Sequence, residues 1–99
     1  MTTQVTPVVV RARGDIDLDT GPRLRHELIR ALAENHEVVL DLSEVTFMDC
    51  AGLNALIDAR NQADRRGARL TLRNVGRPVA RILALTGLTG RLAPATPPS

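Results

Sequence analysis

The chain has 99 residues, 43% of them hydrophobic and 24% charged, the size and balance of one globular domain and not of a disordered or disulfide-stapled peptide. A single cysteine excludes an intramolecular disulfide and every multi-cysteine zinc site. No apolar run approaches the roughly 18–20 residues that cross a bilayer, and Met1-Thr2-Thr3-Gln4 lacks the basic and apolar regions of a signal peptide, so a cytoplasmic protein without membrane insertion is expected.

The net charge of +2 hides an asymmetry: residues 1–59 carry five arginines against ten acids, and residues 60–99 carry eight against Asp64 alone. A basic half suits nucleic acid, yet Phe47 is the sole aromatic and the arginines are scattered along the chain. Without a stacking platform, solvated helix faces are the expectation, and no direct nucleic-acid partner.

Val5 to Arg13, with the run Val8-Val9-Val10, reads as a strand ending at Gly14, and Gly14 to Asp19 as a loop or short extension. Thr20 as N-cap, Pro22 in the first turn and a stripe of Leu24, Leu28, Ala31 and Leu32 predict a helix from about Gly21 to Glu34, with Asn35 as a left-handed stop. Glu37 to Leu42 predicts a strand whose continuous Val38-Val39-Leu40 suits a parallel sheet covered on both faces, with Val45 and Phe47 adding apolar cover. Asp49 can cap a second helix that buries Leu53, Leu56, Ile57 and Ala63, turns Asn54, Asp58, Asn61 and Arg65 outward, and ends at Gly67. Leu70, Leu72 and Val75 alternate with Thr71 and Arg73 as a third strand. Val79, Ile82, Leu83 and Thr86 make a third helical stripe between Pro78 and Gly87. The β-α-β-α-β-α order predicts an α/β domain over residues 1–93 with right-handed crossovers on a mainly parallel sheet, followed by a disordered proline-rich tail at 94–99.

Enzyme signatures are missing: there is no glycine-rich phosphate loop, no dinucleotide fingerprint and no pair of metal ligands. No catalytic residue, metal or cofactor is therefore expected, and His26 and His36 read as surface residues. The conspicuous segment is Asp41 to Gly52, where a strand, a short loop and a helix start meet. Cys50, on the first helical residue, faces unpaired amides and the positive end of the helix dipole, a setting that favours a thiolate or a phosphate. Ala51 and Gly52 would leave that backbone open to close approach by another surface.

Three stretches together resemble the STAS domain of bacterial anti-sigma factor antagonists, over about Val5 to Leu92. They are Gly14-Asp15-Ile16-Asp17, then Asp41-Leu42-Ser43-Glu44-Val45-Thr46-Phe47-Met48-Asp49-Cys50-Ala51-Gly52-Leu53, and Leu85-Thr86-Gly87-Leu88. The resemblance implies a protein-binding regulator of an actinobacterial type that engages an anti-sigma factor, usually a GHKL-type serine kinase, and so frees a sigma factor. It also implies partner switching by phosphorylation of a serine at the position Cys50 occupies. The implied partner-binding surface comprises Asp15, Asp17, Thr20, Asp49, Cys50, Ala51, Gly52, Asn54 and Asp58.

Cys50 departs from that pattern, since a thiol is no substrate for a serine kinase. Ser43 and Thr46 are nearby hydroxyls, with Ser43 expected to brace the loop by bonding backbone amides. Three readings of Cys50 stand side by side: a small stand-in for serine in a binder that is not switched, a redox sensor, and, weakest, a nucleophile. A sensor would need a thiol on another molecule to form a disulfide. The edge strand and last helix of the family are short or missing here, which exposes sheet edges and leaves room for a weak homodimer. The alternative of a different class is a STAS subunit of an ABC-type lipid transport complex.

Overall fold

Gly14 does not end the first strand. In the computed structural model, which describes residues 7–86, the chain runs through Gly14 at φ 69° and continues pairing to Ile16. The elements are β1 (Val8–Ile16), α1 (Gly21–Glu34), β2 (Glu37–Met48), α2 (Cys50–Arg66), β3 (Arg69–Arg73) and α3 (Arg77–Thr86). The three strands form one parallel sheet in the order β1-β2-β3, the expected α/β alternation. Val5, Gly87 and the expected tail at 94–99 lie outside the described residues.

The core is one cluster in which Leu24, Leu28 and Leu32 of α1 and Leu53, Leu56 and Ala63 of α2 meet Val10, Val38, Leu40, Leu70 and Leu72 of the sheet. Ile57, expected inside, is half-buried at its margin. The opposite side of the sheet corrects an expectation. The register partners Val9, Val39 and Thr71 form a row in which Val9 is 41% exposed and the other two are half-buried. Val38-Val39-Leu40 is therefore a run with one face fully covered.

β2 is also twice the expected length. Its later half pairs with β1 through two irregularities: Arg11 and Arg13 face Asp41 and Glu44, and Gly14 and Asp15 face Val45 and Phe47. Each time β2 supplies one extra residue, and an extra residue reverses the in-out alternation beyond it. Val45 and Met48 consequently point into the core, while Phe47, expected to give apolar cover, is 48% exposed. β3 pairs only with Glu37 to Asp41 of β2. It stops at Arg73, with Asn74 turning the chain at φ 57°, so Val75 falls outside it. α3 packs against β2 and sinks Val79 and Leu83 into the core.

Two helix ends are built differently from the expectation. Thr20 has helical backbone angles and its side chain caps nothing; its hydroxyl accepts from the Asp17 amide at 2.9 Å and donates to the Asp15 carbonyl at 2.7 Å. Asn35 is extended at φ −139°, because β2 begins almost at once, and closes α1 through its side-chain amide, which donates to the Ala31 carbonyl at 2.9 Å. Asp49 and Gly67 behave as expected. The Asp49 carboxylate accepts from the Gly52 amide at 3.0 Å, and Gly67 ends α2 at φ 70°.

Asp41, 5% exposed, is the buried charge that joins β2 to the end of β3. Its carboxylate accepts from the Ser43 amide at 2.9 Å, from Arg73 Nη2 at 3.1 Å and from the Asn74 side-chain amide at 3.4 Å. The Ser43 amide, then the Ser43 hydroxyl and the Arg73 guanidinium, hold the Asp41 carboxyl well below the usual carboxylate range against the opposing effect of burial. An acid with a depressed native pKa stabilises the fold above its unfolded pKa of about 3.9, and that stability is lost as pH falls toward the native value. Asp41→Asn is expected to lower the thermal midpoint at neutral pH, and the gap to the wild type should narrow on acidification below about pH 4. Melting both proteins by circular dichroism over a pH series checks this; a constant gap contradicts it.

Candidate functional site

Parallel pairing sets the C-terminal ends of β1 and β2 side by side, with Ile16 opposite Met48. The loop into α1 and the start of α2 therefore emerge together, at the sheet edge where open α/β folds present their binding crevices. The Asp49 amide donates to the Ile16 carbonyl at 3.3 Å. Of the residues expected to form a binding surface, Asp15, Asp17, Thr20, Asp49, Cys50 and Ala51 come together here, with Cys50 exposed and Asp17, Asp49 and Ala51 half-buried. Asn54 and Asp58 extend the surface along the exposed side of α2.

Gly52 is the correction. It is buried, and a Cβ built on it would meet the Ile16 carbonyl oxygen in a clash and lie 2.9 Å from Ile16 Cγ2. On its other side the α2 start is backed by Gly21, whose Cβ would stand 3.3 Å from the Ala51 carbonyl oxygen. The bare backbone at Gly52 thus admits the chain's own β1 and not an incoming partner. What α2 presents outward is Cys50, Ala51 and Asn54.

The loop is tightly braced. Asp17 Oδ1 accepts from the Asp19 amide at 2.9 Å and the Thr20 amide at 3.1 Å. Those amides, Thr20 first, hold the Asp17 carboxyl below its ordinary value. Thr46 Oγ1 donates to Asp15 Oδ1 at 2.9 Å, tying β2 to the acidic rim and engaging one of the two spare hydroxyls. Ser43, expected to bond backbone amides with its hydroxyl, instead serves Asp41, through its own amide at 2.9 Å and with its hydroxyl beside the same carboxylate. Asp58 is not a free acid: Arg25 Nε of α1 lies 3.3 Å from its Oδ2. The Arg25 contact and the outward turn of Phe47 went unread in the sequence; the first depends on how two helices are juxtaposed and the second on bulges that no residue type announces.

The sequence of this site has relatives. A profile of the family described as "Mlab, STAS domain" matches residues 1–94. The chain belongs to the STAS domain family. It is 27% identical over 81 residues to the anti-sigma-B factor antagonist of Bacillus subtilis, covering 82% of this chain and 74% of that one. The crystal structure of an anti-sigma factor antagonist from Mycobacterium paratuberculosis superposes with a TM-score of 0.73 at 27% identity, covering 89% of this chain and 76% of that one. The anti-sigma factor antagonist SpoIIAA in its unphosphorylated form matches with a TM-score of 0.72 at 20% identity, over 95% and 85% of the two chains, and so shares the fold.

Two variants separate the packing from the surface. Gly52→Ala should destabilise the domain by about 1–3 kcal/mol through overpacking against the β1 backbone, lowering the thermal midpoint by several degrees or more. Asp49→Ala removes a side-chain cap, costs about 1 kcal/mol, and should speed hydrogen exchange at the Gly52 amide. A Gly52→Ala protein that melts with the wild type contradicts the close approach.

Proposed function

We propose that this chain is an anti-sigma factor antagonist whose docking surface is the acid-rimmed start of α2, and that its partner is an anti-sigma factor of the GHKL-type serine kinase class. The reading is supported above all by the placement of an exposed Cys50 within a braced ring of Asp15, Asp17 and Asp49, in a STAS chain whose relatives bear that functional name. The work of the protein is binding, without chemistry of its own, in the cytoplasm where sigma factors act.

The physical logic follows from charge. A phosphoryl group adds about −1.5 to −2 charge, and at position 50 it would lie among carboxylates on a surface that must be desolvated to dock. Docking and phosphorylation exclude each other on these terms. A thiol in place of the hydroxyl removes the modification while leaving the shape, so this antagonist stays competent for as long as it is present.

Incubation with a partner kinase and ATP, followed by intact-mass spectrometry, should show no phosphate on the wild type and one phosphoryl group on Cys50→Ser. Phosphate on the wild-type chain would mean that the acceptor is elsewhere. In a binding titration, Cys50→Glu and Ala51→Arg should weaken the complex by about tenfold or more. Co-purification from the native cell with a permease and an ATPase, in place of an anti-sigma factor, would favour the transport-complex alternative.

A further inference from the structure

Four large apolar side chains stand exposed among the described residues: Val9, Leu18, Phe47 and Leu85. Two of them are framed by charges of opposite sign. Leu18, 75% exposed, is the middle residue of Asp17-Leu18-Asp19 at the tip of the β1–α1 loop. Phe47 helps line a groove of about 670 Å³ between β2 and α3, together with Met48, Pro78, Arg77 and Arg81. The two arginines stand one turn apart on α3, and among the described residues neither has a carboxylate partner.

We propose that the Asp17-Leu18-Asp19 loop of one copy docks into the Phe47–Arg77–Arg81 groove of a second copy. The pairing matches apolar surface to apolar surface and each sign of charge to its opposite. A single exposed leucine needs no explanation. A leucine between two acids has a complement within its own chain, a groove lined by an aromatic ring and by two guanidiniums that have no carboxylate partner among the described residues. The loop is already shaped for the contact: the Asp17 carboxylate and the Thr20 hydroxyl fix its backbone, so little ordering remains to oppose binding. Phe47 faces the groove because the second irregularity of β2 turns it outward.

Loop and groove are different surfaces, so two copies that exchange loops reciprocally close into a two-fold dimer, whereas a one-way contact continues from copy to copy. A contact this small associates weakly and depends on charge. Resting on the function proposed above, the loop is also part of the docking surface, and self-association withholds it from the partner.

Sedimentation of the full chain alone tests the contact without any partner, so failure here leaves the anti-sigma reading standing. Asp19 is the residue to reverse, because its carboxylate takes no part in bracing the loop. The wild type should form species heavier than the monomer as concentration rises, and less of them in 1 M salt, where the Debye length falls to about 3 Å. Asp19→Arg and Arg81→Glu should each weaken association by about tenfold or more by opposing like charges. The double variant Asp19→Arg/Arg81→Glu should restore it, with circular dichroism confirming that all three are folded. A wild type that stays monomeric throughout, association that either single reversal leaves intact, or a double variant that fails to recover overturns the proposal.

Discussion

The start of α2 lies directly against the end of β1, and the arrangement of the acidic corner around Cys50 follows from that contact. Gly52 meets the Ile16 backbone with no room for a methyl group, and Gly21 meets the Ala51 carbonyl from the side of α1. Two glycines on two different helices thus let three backbones converge at one corner of the sheet. The corner is stiffened by the Asp49 cap, the Asp49 amide on Ile16 and the Thr46–Asp15 hydrogen bond. On the proposed function, a docking surface built from loop residues is precise here because its loops are tied to strand ends.

The charge asymmetry of the sequence becomes an arrangement in space. Asp15, Asp17, Asp19 and Asp49 gather where β1 ends and α2 begins, with Asp58 further along α2 moderated by Arg25. The arginines of the later half divide by role: Arg73 neutralises the buried Asp41 and joins β2 to the end of β3, while Arg77 and Arg81 stand beside the groove under Phe47. An acidic corner and a basic groove on one small domain explain how a net charge near zero can coexist with strong local fields.

On the proposed function, a thiol at position 50 where the family carries a hydroxyl bears on regulation more than on recognition. Thiol and hydroxyl are similar in size, and the exposed start of α2 presents either with the same backbone. The difference is chemical: one accepts a phosphoryl group from a serine kinase and the other does not. On the proposed function, the level of the antagonist and access to its loop would govern its action.

The local signals in the sequence were enough for the order of elements, the span of α1, the Asp49 cap, the Gly67 stop and the outward face of Asn54 and Asp58. Helical spacing, capping chemistry and positive-φ glycine act over a few residues and are written in those residues. Periodicity failed at β2, because a bulge is set by how two strands pair and not by the residues of either one; Phe47 therefore turned out although it follows the inward Val45 by two residues. Asn35 and Thr20 kept polar roles with different partners, since a side chain bonds whichever group the folded chain brings within reach. Gly52 shows the division most clearly: its missing side chain is plain in the sequence, but only tertiary packing decided that the space belongs to Ile16 of the same chain, because two backbones cannot share with a partner a gap they already fill.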